Sequence, residues 1–329
     1  MIEAIMIVKG QEPFPHPLCE GPGTSQLDAL RAEAEIACLP PVLGRMNQLL
    51  SAAPVDLRSL AEAIKEAPGL ATETVKFCNS SLFALPQPVA SIEQAVLLMD
   101  ADIVRVLLLT SWLVKHTGAN IPARDNRLFW SHSLLAAQLS RHISEWACYA
   151  QPEWAFLAGL FHDIGILPFL TVLAHNGSAK PEGLFEDAGD SIEPQRRRFG
   201  TDHCELSLQM SSVLSLPFPL AETAARHHQR GATLSGMPLL SFAGAAEVIA
   251  QTVSGRPDAH SLPQGQIIRN ALAEFLPGLN PAARSGLANT LESDLPGTTA
   301  QFGEIPASVW DDSLAETEAQ QSLAKGPVT

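Results

Sequence analysis

The residues of this chain best suited to chemistry are its histidines, ten in 329 residues. His162 and Asp163 are adjacent at the end of an apolar run, and His227 and His228 are adjacent further on. Imidazole and carboxylate are ligands that divalent transition metals prefer. A buried Asp needs a compensating partner, because desolvating its charge is costly. A bridged pair of metal ions at such a site could activate water to attack a phosphorus centre. The candidate ligands are His132, His162, Asp163, His203, His227 and His228.

Spacing alone does not show that these side chains converge. A single His on a helix is more often a hydrogen-bonded core or surface residue than a ligand, so the remaining histidines are interpreted in that way. They are His16, His116, His142, His175 and His260.

The elements that must position the candidates are helices. Residues 127–146 follow an amphipathic pattern, and the segment PEWAFLAGLFHDIG is apolar on nearly every face, as in the middle of a bundle. Further helices are predicted at 202–214, 220–228, 237–253, 265–276 and 281–291. In the N-terminal half, Asp56 and a capping box at 91–94 predict helix starts, and Asp100 is a third candidate cap. Alternating strand patterns are missing, so the fold class is predicted to be all-α.

Composition and charge narrow the function. The net charge of −14 argues against direct binding of nucleic acid, which needs clustered Lys and Arg. The one compact basic run, residues 196–198, is interpreted as a solvated loop or helix face. Five cysteines without Cys-x-x-Cys spacing suggest neither a disulfide framework nor a thiolate zinc site. No signal peptide and no membrane-spanning run is predicted, so we expect a soluble, cytoplasmic protein.

The segments FWSHS, AFLAGLFHDIG, FGTDHCELS and ARHHQ together resemble the HD superfamily, and specifically its HDOD branch, which is related to the HD-GYP signalling proteins. The N-terminal half supports that branch. The motifs of the HDOD opening segment correspond in this chain to Leu39–Pro40, Pro68–Leu70, Asn79–Ser80 and Ser91–Ala95. The resemblance covers residues 38–255 and implies a multi-helix HD-type bundle with an N-terminal helical lobe.

The predicted organisation has four parts. Residues 1–25 form a flexible arm, 26–120 the N-terminal lobe, 121–260 the HD-like core, and 261–329 C-terminal helices with an acidic tail. Residues 176–200 are expected to be an exposed excursion from the core. The last 44 residues carry seven acids against one Lys, a net charge of −6, with Trp310 as the one Trp among them. The tail is either flexible or a docking peptide anchored by Trp310.

The resemblance also implies a ligand set. Catalytic HD enzymes hold metal with a His, the His-Asp pair and a later Asp, and two-metal relatives add histidines. His132, His162 and Asp163 match the first positions, while the other three candidates match the added ones. The later Asp is missing here, and Glu247 or Gly244 falls near its place. Glu247 is therefore the seventh candidate ligand, although its extra methylene would move the oxygens by about 1.5 Å. The site would hold no metal or a divalent ion: Fe, Mn, Zn or Mg.

Two further departures bear on catalysis. HD-GYP enzymes have Lys where Ile166 stands, and that Lys would neutralise a substrate phosphate. Met237 replaces the Tyr of their GYP signature. The resemblance therefore implies a non-catalytic bacterial signal-transduction module that acts by protein–protein interaction. Its partners would be signalling proteins such as two-component regulators, or a second copy in a homodimer. The alternatives are a metal-dependent phosphohydrolase acting on a nucleotide or cyclic dinucleotide, and a sensor that binds nucleotide or metal without turnover.

Overall fold

The computed structural model describes residues 24–34, 41–50, 55–66, 68–79, 87–98, 101–175, 192–229, 236–253 and 263–303. Within these ranges the chain forms fifteen α-helices and no β-strand, which confirms the predicted all-α, multi-helix bundle. Residues 1–23 of the predicted arm, Asp100, and the part of the predicted tail that contains Trp310 lie outside the described ranges. The helices are α1 (Thr24–Ala34), α2 (Pro41–Leu50), α3 (Leu57–Lys65), α4 (Pro68–Cys78), α5 (Ile92–Leu98), α6 (Ala101–Asn120), α7 (Ala123–Trp146), α8 (Pro152–Phe161), α9 (Ile166–His175), α10 (Glu193–Phe199), α11 (His203–Val213), α12 (Phe218–Arg226), α13 (Pro238–Val253), α14 (Gln264–Phe275) and α15 (Pro281–Gly303).

Local capping sets the starts of two helices in the N-terminal half. The side chain of Asp56 accepts hydrogen bonds from the backbone N–H groups of Arg58 and Ser59, which confirms the predicted cap of α3. Before α5, the Ser91 hydroxyl accepts from the N–H of Gln94 at 3.3 Å. The Gln94 side chain reaches back to the N–H of Ala90, one residue earlier than a strict capping box requires.

Helices α2 to α6 pack on one another as the N-terminal half of the molecule. Asn79, just after α4, makes a two-way bond with Val89: its amide donates to the Val89 carbonyl and accepts from the Val89 N–H, both at 2.7 Å. This pairing joins the end of α4 to the residues just before α5. Helix α6 contributes a nearly continuous buried apolar run and also contacts α7, α8 and α9, so it joins this half to the rest.

The centre of the second half is a packing of α7, α8 and α13 against one another. The stretch Pro152–His175, which contains α8 and α9, is long and apolar enough to cross a membrane, and the mean hydropathy of its most apolar 18-residue window is 1.8. Its most apolar window is entirely buried inside the bundle. Such burial is typical of a core helix in a globular protein, because all its faces meet other helices.

Helices from both ends of the chain pack onto this second half. Helix α1 contacts α9 and α11, while α14 and α15 extend the bundle beside α13 and α7. The predicted boundaries at residues 120 and 260 stay a prediction.

One segment is more ordered than the sequence indicated. Within the predicted exposed excursion, residues 193–199 form helix α10, whose Gln195 and Phe199 are buried. Phe199 packs edge-to-face on Phe169 of α9, so apolar contact holds the helix to the core. The arginines at 196–198 face outward on α10, as predicted for a solvated helix face.

Helices α7 and α8 approach so closely that only glycine fits at position 159. A β-carbon there would lie 2.6 Å from the carbonyl oxygen of Ala136 and 2.7 Å from the α-carbon of Ala137. We expect Gly159→Ala to destabilise the protein by about 1–3 kcal/mol, since backbone must move to admit the methyl group. Calorimetric measurement of Tm checks this expectation.

Gly44→Ala is the matched control. Gly44 lies within α2, and nothing lies within 4 Å of the place that an added methyl group would take. The same chemical change should therefore raise stability by about 0.5–1 kcal/mol, because alanine loses less backbone entropy in a helix. Equal Tm shifts for the two variants would contradict the close α7–α8 approach.

Candidate metal centre

Three elements of the second half bring one group of ligands together. Helix α7 supplies His132, the turn after α8 supplies His162 and Asp163, and α13 supplies Glu247. Glu247 Oε2 lies 2.6 Å from His132 Nε2 and 2.8 Å from His162 Nε2. Asp163 Oδ2 lies 3.7 Å from His132 Nε2 and 3.4 Å from His162 Nε2. We call these four residues the His/carboxylate group.

A second group lies beside the first. It consists of His203 and Cys204 at the start of α11, and of His227 and His228 in the turn after α12. His203 Nε2 lies 3.3 Å from His227 Nε2 and 2.9 Å from His228 Nε2. One donor atom from each of the four residues lies within 4.8 Å of the others. We call these four residues the His/Cys group.

Asp163 links the two groups through its two carboxylate oxygens. Oδ2 faces the histidines of the His/carboxylate group. Oδ1 lies 3.4 Å from His203 Nε2 and 3.2 Å from His227 Nε2 of the His/Cys group. This is the placement expected of a carboxylate that bridges two metal ions, which in two-metal sites lie about 3.5–4 Å apart.

Hydrogen bonds on the far side of three rings fix which nitrogen faces the centre. Nδ1 of His162 donates to the carbonyl of Gly159 at 2.6 Å, and Nδ1 of His227 donates to that of Ala224 at 3.1 Å. Nδ1 of His203 donates to Oε1 of Gln195 at 2.9 Å. In their neutral forms all three rings therefore point a lone pair on Nε2 inward, an arrangement typical of metal-bound histidines.

These lone pairs provide a test of whether a cation fits. Nε2 of His203, Nε2 of His227 and Oδ1 of Asp163 are all hydrogen-bond acceptors, and they face one another within 3.4 Å. Acceptors at such distances repel unless a cation lies between them. A divalent metal ion supplies that charge, so the residues fit one. Five imidazoles among the ligands favour Fe, Mn or Zn over Mg, which prefers oxygen.

The ionisation of the two carboxylates and of His203 and His228 agrees with this fit. Burial would raise the pKa of Asp163 and of Glu247, but the neighbouring histidines outweigh it and hold both pKa values well below the usual range. Burial lowers the pKa of His203 to about 4, against the charge of Asp163. Burial and the nearby His227 and His203 lower the pKa of His228 to about 2. The carboxylates are thus ionised and these two rings neutral, as ligation requires.

His162 behaves differently. Burial would lower its pKa, but the charges of Asp163 and Glu247 raise the pKa well above the usual value. In the absence of a metal, a proton on His162 would partly compensate the two buried carboxylates.

The chain around the second group holds α11 in place. Asp202 caps α11 by accepting from the N–H of Glu205 at 2.9 Å, and it is itself bound by Arg196 Nε at 2.6 Å. The N–H of Gly165 donates to the hydroxyl of Ser207 at 2.9 Å, which ties the turn of the His-Asp pair to α11. A β-carbon on Gly165 would overlap the carbonyl of His203, so this approach needs glycine.

Gln195 is the residue outside the ligand set whose loss we expect to affect metal binding most. Its Oε1 accepts from both Nδ1 and the backbone N–H of His203, each at 2.9 Å. We expect Gln195→Ala to weaken metal binding by about 10–100-fold, because the His203 ring loses its orientation. Competition against a chromophoric chelator measures this affinity.

The control is Gln195→Glu, which keeps an acceptor at the same position. It should bind metal within a few-fold of the unaltered protein. If Gln195→Ala binds metal as tightly as Gln195→Glu does, the hydrogen bond to His203 has no part in the site.

The structure brings all seven sequence-predicted candidates into these two groups. It also decides between Glu247 and Gly244: Glu247 reaches two histidines, whereas Gly244 packs against the Phe275 ring. The expected shift of about 1.5 Å does not keep Glu247 from this position. That the residues bind metal stays a prediction.

Three residues were missed by the sequence analysis. Cys204 directly follows His203, and Gln251 stands one helical turn after Glu247, to which it donates a hydrogen bond. Both positions are signals that could have been used. Gln195 gave no such signal, because it lies in a polar segment that was predicted to be exposed.

Comparison with solved structures shows the same fold in bacterial proteins. An HDOD domain protein of unknown function from Geobacter sulfurreducens is 21% identical, with a TM-score of 0.62, over 85% of this chain and 97% of that one. A protein provisionally named a phosphohydrolase, from Shewanella amazonensis SB2B, is 19% identical, with a TM-score of 0.59, over 84% of this chain and 97% of that one. A protein provisionally named a signal transduction protein, from Marinobacter aquaeolei VT8, is 16% identical, with a TM-score of 0.55, over 83% of this chain and 60% of that one. At these identities the likeness concerns the fold alone.

The sequence itself gives the family. No curated protein matches it significantly. The HDOD domain model matches residues 36–230, more than half of the chain. This match covers helices α2 to α12 and the candidate ligands from His132 to His228. The chain therefore belongs to the HDOD domain family.

Proposed function

We propose that the protein is a cytoplasmic, HDOD-type signal-transduction module that holds divalent metal within its bundle and acts by binding other signalling proteins, without turnover of a substrate. The observation that carries this proposal is the burial of the ligands. Of the seven candidates only His228 is half-buried. His162 and His227 are at most 1% exposed, and Asp163 is 7% exposed. A phosphate ester would need access to these atoms in order to react.

The charges around the centre support the same proposal. Each ion pair that Asp163 and Glu247 make with the described residues involves a histidine. Ile166, which stands where related enzymes have Lys, is buried and apolar. Stabilising a transferred phosphoryl group requires cationic or hydrogen-bond donors aimed at its oxygens. The two groups of ligands would hold metal, and when bound it would add charge balance and Lewis acidity.

An exposed aromatic cleft supports the interaction part of the proposal. A cavity of about 460 Å³ lies where α8, α12 and α13 begin, and its lining includes Tyr149, Trp154, Phe218 and Met237. Phe218 is 66% exposed. Tyr149, Trp154 and Met237 are partly buried and support it from below. An exposed aromatic side chain over such a cleft is typical of a protein-binding site. The net charge of −14 favours a partner surface rich in Lys and Arg.

The test of this proposal uses the full chain and the purified two-component regulators of its source cell. We expect at least one regulator to bind, and Phe218→Ser to weaken that binding at least tenfold. Leu208→Ser, which alters a similarly exposed apolar residue on α11, is the matched control and should leave binding unchanged. Absence of binding to every regulator, or equal affinity of both variants, would contradict the proposal. Self-association that Phe218→Ser abolishes would point instead to a homodimer.

A second candidate function is a metal-dependent phosphohydrolase. The observation that favours it is the position of Glu247, which completes the His/carboxylate group despite the missing Asp. The test is hydrolysis of an activated phosphodiester and of cyclic dinucleotides after loading with Mn²⁺ or Fe²⁺. Turnover that disappears in both His162→Ala and Asp163→Ala would establish the enzyme and overturn the non-catalytic proposal. No turnover with any ion would remove this candidate.

A further inference from the structure

We propose that the His/Cys group is a thiolate-containing zinc site, with Cys204 as a metal ligand, and that it differs in metal preference from the His/carboxylate group. The proposal rests on the metal centre of the proposed function and assigns a ligand to it.

The first observation in favour of Cys204 as a ligand is its position. Its Sγ lies within 4.8 Å of one ring nitrogen from each of His203, His227 and His228. The residue is only 7% exposed, and it is the second residue of α11, directly after His203. Asp202 caps this end of the helix, and the hydrogen bond between Gly165 and Ser207 ties it to the turn of the His-Asp pair. The thiol is therefore fixed beside the imidazoles.

The distances between the nitrogens carry the second step. Two nitrogens bound to one tetrahedral Zn²⁺ at about 2.0–2.1 Å lie roughly 3.3 Å apart. His203 Nε2 and His227 Nε2 are 3.3 Å apart, and His203 Nε2 and His228 Nε2 are 2.9 Å apart. An ion bound by these imidazoles would also have Oδ1 of Asp163 and Sγ of Cys204 beside it, and Cys204 is the cysteine of this group among the described residues.

The chemistry of the donors carries the third step. Sulfur and three imidazoles form a soft donor set, which suits Zn²⁺. Two imidazoles with two carboxylates form a harder set, which suits Fe²⁺ or Mn²⁺. We therefore expect a mixed centre, with zinc in the His/Cys group and iron or manganese in the His/carboxylate group, joined by Asp163.

The experiment uses Co²⁺ as a probe, added to metal-free full-length protein. A thiolate bound to Co²⁺ gives an intense charge-transfer band in the near ultraviolet, which nitrogen and oxygen ligands do not give. We expect this band in the unaltered protein and its loss in Cys204→Ser. Cys78→Ser is the matched control, because Cys78 is also buried but lies outside both groups. It should keep the band.

Metal analysis adds a second readout. Cys204→Ser should bind zinc at least about 10-fold more weakly, since losing a ligand costs no less than losing an outer hydrogen bond. It should keep the ion of the His/carboxylate group. Two bound Co²⁺ without the band, or a band that survives in Cys204→Ser, would overturn the thiolate ligand and leave the metal centre standing. No bound Co²⁺ at all would overturn both.

Discussion

Asp163→Ala should remove metal from both groups, so that the metal content of the purified protein falls from about two equivalents to fewer than one. The reason is the position of the carboxylate. Oδ2 faces His132 and His162 of one group, while Oδ1 faces His203 and His227 of the other. Without it, each ion loses a ligand, and the negative charge that separates two neighbouring dications is gone. Mass spectrometry of metal content, after purification without a metal column or chelator, measures this loss.

The control for Asp163→Ala is Glu247→Ala, whose metal content is measured in the same way. Glu247 pairs with His132 and His162 of the His/carboxylate group, so its loss should release one ion and leave the other in the His/Cys group. Equal metal contents in the two variants would show that Asp163 does not bridge. Circular dichroism of both variants should retain the helical signal, because an extended core of apolar side chains holds the bundle together.

Removing the metal should lower the thermal stability of the protein by a large amount. An ion present at about 1,000 times its Kd stabilises the folded state by about 4 kcal/mol. For a chain of this length each kcal/mol corresponds to about 1.5 °C, so we expect Tm to fall by roughly 6 °C for each ion that chelation removes. The physical cause is the centre itself, since ionised carboxylates and inward lone pairs are left buried without their cation.

Asp163→Ala serves as the control in this experiment as well. Its Tm should be the same with and without chelator, because it holds little metal to lose. Zn²⁺ or Mn²⁺ added back should restore the Tm of the unaltered protein, whereas Mg²⁺ at the same concentration should not. If chelation leaves the unaltered protein's Tm unchanged, the histidines form a hydrogen-bonded core and the metal centre is wrong.

The family match and the centre have different physical bases. The match extends over residues 36–230, so it depends on the sequence pattern of more than half of the chain. The proposed centre depends on a few side chains, whose chemistry can change while the fold stays the same. The resemblance to HD enzymes implies two such changes, with Ile166 where they have Lys and Glu247 near the place of their Asp. The fold therefore does not decide whether this member hydrolyses a phosphoester, and the hydrolysis assays with Mn²⁺ or Fe²⁺ do.

What the sequence determined by itself is local. Apolar periodicity and the absence of strand patterns predicted an all-α chain, and Asp56 was a correct helix cap because capping involves neighbours within three residues. The apolar character of the segment around α8 likewise predicted its central position, which the structure confirms.

Only the tertiary structure decided which residues meet. His132 and Glu247 are 115 residues apart, and no local pattern specifies that α7 and α13 pack so that their side chains lie 2.6 Å apart. Helix α10 places Gln195 within hydrogen-bond distance of His203, and its position also depends on the long-range contact between Phe199 and Phe169. Such contacts depend on how helices from distant parts of the chain share one core. Periodicity and capping describe single helices, so they predicted the helices themselves. Which helices pack together, and therefore which candidate ligands come close, depends on the packing of the core.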